Sequence, residues 1–371
     1  MTTTTTVRAS AGTDRLLSLD VFRGVTMFLL IGESTKIYEL LVAPALQGTL
    51  LGAIGTQFHH HAWNGMHFWD LVQPFFMFIV GVALPFSVAA RERHGDSRRL
   101  LVQHAVRRAF LLLLFGWALY CIRPGYITFR FQNVLAQLSV TYLIAFFLMR
   151  RPARTQLAFS FALLLVTELL YRLFPVAGFN QPFIADHNFG AWFDLLLSGE
   201  LSSGHWVSFN AIPTAAHTMW GVLAGQWLMS DRRPIEKVWK LAALGLVAIA
   251  AGYALDPLTP IIKRISTSSF VILSGGWCLV ALAACYWIVD VRRVRRWATF
   301  FTVVGMNSLA IYLFTESYGT VWLASLVKPF TMGSASWIGE LPAQIVTSLA
   351  QWGLLWAICY WLFRRKIIIR I

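Results

Sequence analysis

The sequence predicts an all-helical membrane protein in which about ten helices cross the bilayer and both termini lie in the cytoplasm. Of its 371 residues, 57% are apolar and only 13% are charged, whereas a soluble globular protein carries roughly 25% charged residues. Aromatic residues make up 15% of the chain and include 16 tryptophans, which suits the two interfacial belts of a membrane protein. The chain is therefore too poor in charge for a surface that faces water throughout.

Ten apolar segments predict the membrane-spanning helices, because a span needs about 20 mainly apolar residues. In chain order they are 20–38, 70–90, 102–122, 133–149, 156–174, 211–230, 238–255, 269–289, 298–315 and 343–363. We expect a single transmembrane domain over 15–371 and a disordered cytoplasmic tail over 1–14. The tail does not have the pattern of a signal peptide, since no short apolar core with a small-residue cleavage site follows it.

The positive charges of the chain indicate the orientation of these spans. The formal net charge is +14, and 31 residues are Lys or Arg. Most of them fall in runs that occupy every second loop, as ten helices with a cytoplasmic amino terminus require. These runs are RERHGDSRR, RRPAR, DRRPIEK, RRVRR and RRKIIIR. Charge that is confined to such runs indicates topology rather than a nucleic-acid-binding face.

Two long loops, 39–69 and 175–210, fall on the exoplasmic side, and their aromatic and histidine content argues against disorder. Within the second loop, 191–197 is typical of a short interfacial helix. The first loop ends in FHHHAWNGMHFWDLVQPFF, which brings Asn64 and Asp70 close to a group of four histidines just before a helix. These histidines are His59, His60, His61 and His67.

The histidine group has two simpler interpretations, a metal site and a polar membrane interface. Three consecutive histidines cannot all point one way, and His-His-His followed by Asp nine residues later is not a recognised ligand spacing. We therefore predict no metal. Asp70 also stands where the N-cap of the second span would be, which is a structural role. The four cysteines lie in apolar segments and predict no disulfide framework and no zinc site.

Other polar residues stand within the apolar segments, where they are costly unless they face the bundle interior or a wet cavity. Asp20 and Arg23 lie one helical turn apart in the first span and can pair, and Glu33 lies deeper in that span. The segment PIIKRISTSSFV predicts either an anion-binding rim around Lys263 and Arg264 or only a capped helix start. The ninth span carries three further polar residues: Asn307, Ser308 and Glu316.

Six stretches, in order, resemble the heparan-alpha-glucosaminide N-acetyltransferases and their bacterial relatives, within a wider group of multi-spanning acyltransferases. They extend over nearly the whole chain. The stretches are SLDVFRG at 18–24, H-x-x-WNG followed by DLVxPFFMFIVG at 60–81, NVLAQLSVTYL at 133–143, IP…GVLAG at 212–225, P-I-x-K-x-I-x-T-S-S-F-V at 260–271 and GMNS…Y…E at 305–316.

The resemblance implies an enzyme that transfers an acetyl group from cytosolic acetyl-CoA to an amino sugar on the exoplasmic side, with no permanently bound cofactor. The family's active-site histidine precedes Trp-Asn-Gly by three positions, which is His60. It would act as a general base or as the carrier of the acetyl group. Asn64 would orient His60 or polarise the carbonyl oxygen, and Asp70 would fix the tautomer of the imidazole. A cytoplasmic Arg or Lys cluster would hold the phosphates of CoA.

We expect ten further residues to bind substrate or donor or to support the site. They are Asp20, Arg23, Glu33, Arg130, Gln137, Lys263, Ser268, Asn307, Ser308 and Glu316. The chain departs from the family pattern at Ser34, at Thr315 and in GHWVSFN at 204–210. These departures concern the acceptor more than the acyl-transfer step, so the choice between N- and O-acylation stays open.

Two other functions use the same polar residues. One is a transporter or exporter of a small polar solute, and the other is a membrane scaffold without catalytic activity. The expected partners are the lipid bilayer, acyl-CoA, a sugar or glycan acceptor and, as an option, a second copy of the chain in a homodimer. Nucleic acid is not expected, and the expected location is a bacterial inner membrane.

Overall fold

The computed structural model describes residues 16–122 and 124–369, apart from the side chains of 334–336. Within these ranges the chain forms helices and no strand. The α-helices are α1 Leu17–Glu33, α2 Ile37–Leu41, α3 Leu50–Gln57, α4 Val72–Arg93, α5 Arg98–Ile122, α6 Val134–Leu148, α7 Ala153–Leu173, α8 Phe189–Ser198, α9 Ala211–Met229, α10 Pro234–Leu255, α11 Ser268–Tyr286, α12 Ala298–Met306, α13 Ser308–Glu316, α14 Gly319–Ala335 and α15 Glu340–Arg364. The predicted tail over 1–14 lies outside the described residues.

Eight of the ten segments predicted to span the membrane each correspond to one α-helix, whereas 20–38 is divided between α1 and α2 and 298–315 between α12 and α13. Among the described residues, six helices are long and apolar enough to cross a bilayer, and the bent pair α12 and α13 would make a seventh. The six are α4 with the 3-10 turn before it, α5, α7, α10, α11 with the π-helical turn after it, and α15. The all-helical membrane fold is therefore confirmed, while the count of ten, the cytoplasmic termini and the single domain stay predictions.

The core of the bundle is formed by α4 and α9, whose backbones are in direct contact. A side chain on Gly81 would lie 2.0 Å from the carbonyl oxygen of Thr218, and one on Gly221 would lie 2.3 Å from that of Phe78. Only glycine allows two helices to approach so closely. Because α4 is held in this way along its middle, the residues at its two ends have fixed positions relative to the bundle.

The ninth predicted span is not one straight helix, which differs from the sequence prediction. It divides into α12 and α13, whose axes differ by 68°. The break falls at Asn307, where the side-chain amide donates to the carbonyl of Ile367 at 3.0 Å and accepts from the amide of Ile369 at 3.0 Å. A partner from the end of the chain therefore stabilises the bend. The sequence interpretation also omitted α14, a helix of 17 residues.

Both long loops are ordered by helices of their own. The loop over 39–69 contains α3 and part of α2, and that over 175–210 contains α8. The predicted helix at 191–197 lies within α8 and is confirmed. Asn188 caps α8 by accepting from the amide of Ala191 at 3.1 Å, as an N-cap residue does. Folded loops of this kind can position side chains over one end of a helical bundle.

Candidate active site

His60 and Asp70 form the centre of the candidate site. Nδ1 of His60 lies 2.9 Å from Oδ1 of Asp70, while Oδ2 of Asp70 accepts from the amides of His61 at 3.1 Å and His67 at 2.8 Å. Asp70 belongs to the 3-10 turn that leads into α4, and its side chain is 1% exposed. Asp70 is therefore not the N-cap residue that the sequence predicted: the N-cap of the turn is His67, and Asp70 stands at the third position of the turn, where its carboxylate accepts from the amide of His67 and contacts the imidazole of His60.

The other nitrogen of His60 is free to meet a reactant. Within the part of the chain that the structure describes, Nε2 makes no hydrogen bond, and 31% of the His60 side chain is exposed. The neighbouring histidines point to different partners. Nδ1 of His59 lies 2.9 Å from the carbonyl oxygen of Gly55, and Nδ1 of His67 lies 3.0 Å from that of His59. Of these three histidines, His60 is therefore the one with a carboxylate partner and an open ring nitrogen.

Lys263 joins the pair from a segment far away in the sequence. Its Nζ lies 3.0 Å from Nδ1 of His60 and 3.6 Å from Oδ1 of Asp70, with 6% of the side chain exposed. The segment is tied to the Trp-Asn-Gly loop, since the amide of Gly65 donates to the carbonyl of Ile261 at 2.8 Å. The sequence predicted either an anion-binding rim around Lys263 or only a capped helix start; in the structure Lys263 lies against an imidazole and a carboxylate.

Glycine is required at position 65 of this loop. Its φ is +135°, a value that L side chains rarely adopt, and a Cβ there would lie 2.7 Å from the ring of His61. The conformation lets the loop turn back so that the amide of Gly65 reaches Ile261. The glycine of the Trp-Asn-Gly motif therefore acts through the backbone, by holding the histidine loop against the Lys263 segment.

The environment keeps His60 neutral at physiological pH. Burial of the ring, together with the charge of Lys263, lowers the pKa of His60 to about 4, although Asp70 opposes this shift. Burial also lowers the pKa of the Lys263 ammonium to about 8, against the attraction of Asp70 and Glu33. A neutral imidazole with a free Nε2 can take a proton or attack a carbonyl carbon.

Trp206 forms one side of the site and comes from the stretch that departs from the family pattern. Its ring lies 5.1 Å from that of His60 in an edge-on arrangement. Nζ of Lys263 lies 5.2 Å from the centre of the Trp206 ring, and the guanidinium of Arg264 lies 5.3 Å from it. Arg264 also donates to the carbonyl of Gly204. Sequence reasoning connected this stretch with the acceptor but did not single out Trp206.

The other predicted site residues near His60 have varied surroundings. Asn64 is exposed and makes no hydrogen bond to His60 or to any other described residue, so it does not orient the imidazole. Glu33 accepts from the indole of Trp69 at 2.8 Å. The carboxylate of Glu316 lies close enough to Glu33 for the two charges to interact. Of the two roles predicted for Asn64, orienting His60 and polarising the carbonyl oxygen of the acetyl donor, only the second remains as a prediction.

Three further predicted residues have partners other than the His60 group. Arg130 pairs with Glu200 at 2.6 Å. The hydroxyl of Ser268 donates to Glu168 at 3.2 Å, so it faces an acidic partner rather than a bound anion. Gln137 accepts from Gln73 and donates to the carbonyl of Gln132 at 3.1 Å. The structure therefore does not bring these three side chains into contact with His60, Asp70 or Lys263.

A cavity of about 940 Å³ lies within the bundle and is separate from the His60 group. It is bounded by side chains of α1, α4, α5, α6, α9, α12 and α13, together with Leu16 and Ile369. Three arginines line it, and so do several of the predicted supporting residues. The charged and polar lining residues are Asp20, Arg23, Ser87, Arg93, Arg108, Ser308 and Tyr312.

The cavity and the His60 group lie along the same helix, α4. Lining residues of α4 extend from Arg93 at its end to Phe76 near its start. Asp70 precedes Phe76 by six residues, which corresponds to about 9 Å along a helix axis. The basic end of the cavity and the histidine therefore lie at opposite ends of α4, with the apolar part of the cavity between them.

The described residues contain no group of three or more His, Cys, Asp or Glu side chains arranged to hold a metal ion. The chemistry available at the site is instead that of an imidazole, a carboxylate, an amine and an indole. These groups suit proton transfer and nucleophilic attack.

Comparison with known proteins supports the family relationship that the motifs suggest. The chain is 24% identical to the heparan-alpha-glucosaminide N-acetyltransferase of Homo sapiens over an alignment of 431 positions, which covers 98% of this chain and 61% of the human protein. It is 31% identical to that of Mus musculus over 144 residues, or 38% of this chain and 19% of the mouse protein. No family model matches the chain. The chain thus spans less than two thirds of the length of either relative.

Proposed function

We propose that the protein is a membrane-embedded acetyltransferase. It moves an acetyl group from cytosolic acetyl-CoA to the amine of an amino sugar or glycan on the exoplasmic side. The observation that carries this proposal is the arrangement along α4, which has His60 and Asp70 at its start and an arginine-lined cavity that reaches Arg93 at its end. The names of the two relatives suggest the acetyl donor and the amino-sugar acceptor.

The cavity supports binding of the donor. CoA carries phosphate groups, for which guanidinium groups are well suited partners. Nε of Arg108 is buried and has no hydrogen-bond partner among the described residues, so it has a donor to offer to a ligand. Arg108 lies ten residues inside α5, about 15 Å along the helix axis from Arg98. The apolar part of the cavity, near Phe76, suits the less polar arm that carries the acetyl group.

The His60 group supports the chemistry of acyl transfer. With Nδ1 donating to Asp70, Nε2 has the lone pair that removes a proton from the acceptor as its nitrogen attacks the thioester carbonyl. The same atom would attack the thioester if the acetyl group passed through a covalent acetyl-histidine. Asn64 is exposed beside the loop and would polarise the carbonyl oxygen. Both routes depend on the same nitrogen of His60 and on the same carboxylate.

The proposal includes the orientation of the protein in the membrane. The basic runs support cytoplasmic termini, with the end of α4 that carries Arg93 on the cytoplasmic side and the His60 loop outside. We assign the protein to a bacterial inner membrane. Cysteine labelling of intact cells tests this orientation: an introduced thiol near Gly55 should react with an impermeant reagent and one near Gly95 should not. The reverse pattern would contradict the orientation.

A direct assay tests the activity. The detergent-purified protein is mixed with labelled acetyl-CoA and a panel of amino sugars and glycans, and the release of CoA and the labelled product are both followed. We expect turnover in the unaltered protein and its loss in His60→Ala. His187→Ala is the matched control, because His187 is an exposed histidine whose Nδ1 lies 3.0 Å from the carbonyl oxygen of Gly178 in the other long loop.

Two results would contradict the proposal. One is CoA release that is no faster than in buffer across the panel, and the other is release that His60→Ala leaves unchanged. Saturable uptake of a solute into proteoliposomes without CoA release would instead establish a transporter.

A further inference from the structure

Nδ1 of His60 has two partners that compete for one hydrogen. Oδ1 of Asp70 lies 2.9 Å from it and Nζ of Lys263 lies 3.0 Å from it. A contact of 3.0 Å between two nitrogens requires one of them to accept, so an Nδ1–H group and a lysine ammonium that points at it cannot coexist. The protonation of Lys263 is therefore coupled to the tautomer of His60.

Two arrangements satisfy these contacts. In the first, Nδ1–H of His60 donates to Asp70 and Lys263 is a neutral amine, so Nε2 has a free lone pair. In the second, the Lys263 ammonium donates to Nδ1 and stays paired with Asp70 at 3.6 Å, so the hydrogen of His60 is on Nε2. The second arrangement holds one more proton than the first. Adding a proton to Nε2 and moving the Nδ1 proton to Lys263 converts one into the other.

We propose that Lys263 is the second proton acceptor of the site, which takes the Nδ1 proton of His60 when Nε2 deprotonates the ammonium group of the acceptor. One N–H bond of the ammonium breaks as Nε2–H forms, and Nδ1–H breaks as a third N–H forms on Lys263. The acceptor becomes a neutral amine with a lone pair. The positive charge passes from the acceptor to Lys263, where Asp70 stabilises it. This step rests on the proposed function.

The overall reaction requires such an acceptor. An ammonium group and a thioester give an amide, a thiol and one proton, because the ammonium carries a hydrogen that neither product keeps. Within the transfer itself, Nε2–H can protonate the departing sulfur and then take the last proton from the attacking nitrogen. The proton removed first must stay elsewhere until it leaves the site. A hydroxyl acceptor releases no net proton and makes no such demand.

The charged groups around Lys263 favour exchange between its two forms. Asp70 and Glu33 favour the ammonium, whereas burial and Arg264 favour the neutral amine. The resulting pKa of Lys263, about 8, lies near neutrality, where both forms are populated and proton transfer is efficient. The pKa of His60 is lower, about 4, so a proton that leaves the imidazole for Lys263 moves to the stronger base.

Another buried lysine shows a different kind of contact. Lys237 is 8% exposed, and its Nζ donates to the carbonyl oxygen of Leu228 at 2.8 Å. A carbonyl only accepts, so Lys237 is the donor in this contact, and the carbonyl has no proton to give. Lys263 instead faces Nδ1 of His60, which donates in one tautomer of the imidazole and accepts in the other. The two residues are a matched pair for an experiment, since both are buried and only one contacts His60.

The experiment compares two acceptors in the purified protein: an amino sugar, and an aminooxy analogue of that sugar whose nitrogen is already unprotonated at pH 7. The variants are Lys263→Met and Lys263→Arg, with Lys237→Met as the control. We expect Lys263→Met to lower kcat/KM for the amino sugar by at least about 100-fold and for the analogue by less than about 10-fold. Lys263→Arg keeps the charge beside Asp70 but cannot become neutral, and we expect it to show the same selective loss.

The outcomes separate this step from the proposed function. If the unaltered protein turned over neither acceptor, the proposed function would be overturned and this step with it. If the unaltered protein were active and both Lys263 variants lost the same factor on the two acceptors, the proton-accepting role would be overturned while the acetyltransferase would stand. Lys263→Arg retains the ion pair with Asp70, so an unstable Lys263→Met still leaves a decisive comparison. Thermal unfolding of each variant in detergent reports its folding.

Discussion

The carboxylate of Asp70 connects the backbone of the histidine loop to the imidazole of His60. Oδ1 lies 2.9 Å from Nδ1 of His60, while Oδ2 accepts two backbone amides and fixes the carboxylate in place. A side chain that is 1% exposed and fully hydrogen-bonded has no freedom to turn away. The orientation of His60 therefore depends on a residue of the turn that leads into α4, and Asp70 should matter for both catalysis and stability.

Asp70→Asn tests this double role. The amide has one acceptor oxygen instead of two, so it cannot serve His60 and both backbone amides. We expect kcat to fall by on the order of 10²–10⁴-fold, and the free energy of unfolding to fall by about 1–3 kcal/mol because a buried donor loses its partner. Initial rates and thermal unfolding measure the two effects.

A second His–Asp pair provides the control for Asp70→Asn. Nδ1 of His205 lies 2.7 Å from Oδ2 of Asp186 in the other long loop, where both side chains are about a third exposed. Asp186→Asn should leave kcat within a few-fold of its original value. Equal losses in the two variants would show that the effect of Asp70→Asn does not arise from its contact with His60.

The pH dependence of His60 follows from its lowered pKa. A free imidazole with a pKa near 6.5 is mostly protonated at pH 5, but burial and the charge of Lys263 lower the pKa of His60 to about 4. His60 is therefore neutral above about pH 4 and gains its proton only below that value. The carbon shift of Cε1 reports the charge of the ring and depends little on which nitrogen carries the hydrogen, so for His60 it should change little between pH 7 and pH 5.

Carbon NMR of the protein labelled at histidine Cε1 measures this shift, with the signal that is lost in His60→Ala assigned to His60 and N-acetylhistidine as the reference in the same tube. The reference should change from mostly neutral to mostly protonated over the same range, as its pKa near 6.5 requires. A parallel change for His60 would contradict the lowered pKa. The variant Lys263→Met removes the repulsive charge, so the pKa of His60 should rise above about 4 in that variant.

The helices were predictable from the sequence because their signal is local. In a bilayer each backbone amide must be satisfied within its own helix, so a long apolar run almost determines a helix. The bend at Asn307 was not predictable in this way, since its partners, Ile367 and Ile369, lie about 60 positions further along the chain. The helix α14 was missed because its segment contains Pro329 and two glycines, which weaken a helical pattern.

The candidate site shows the same division between near and distant partners. His60 and Asp70 are ten positions apart, so a short loop brings them together and motif reasoning could pair them. Lys263 lies 203 positions from His60. Its motif identifies it as a polar residue, but the motif does not indicate which group its side chain contacts. For Asn64 the motif gave its position close to His60, but it did not show that the side chain would be exposed and make no hydrogen bond to His60.

Arg108→Met tests the donor cavity. Arg108 lines the cavity, whereas its neighbour Arg107 is exposed on the outside of α5, so Arg107→Met is a control with the same change of charge. A hydrogen bond to a charged group contributes about 1.5–3 kcal/mol. We therefore expect Arg108→Met to raise KM for acetyl-CoA by about 10- to 100-fold with a smaller effect on kcat.

A donor without phosphates makes the Arg108 test specific. S-acetylpantetheine lacks the phosphates of CoA, so its KM should be the same in the unaltered protein and in Arg108→Met. An equal rise for both donors would indicate that the substitution distorts the cavity rather than removes a phosphate contact. If neither Arg108→Met nor Arg107→Met changed KM for acetyl-CoA, the donor would have to bind elsewhere.

Asn307→Ala tests whether the end of the chain forms part of the donor cavity. The amide of Asn307 holds the backbone at Ile367 and Ile369, and Ile369 lines the cavity. The substitution removes two hydrogen bonds, each worth about 0.5–1.5 kcal/mol, which is enough to release a short segment without unfolding α15. Carboxypeptidase should then remove the last residues faster, and KM for acetyl-CoA should rise. Lys366→Ala changes an exposed side chain in the same segment and should alter neither quantity. A faster digestion with an unchanged KM would show that Asn307 anchors the segment but that the segment does not contact the donor.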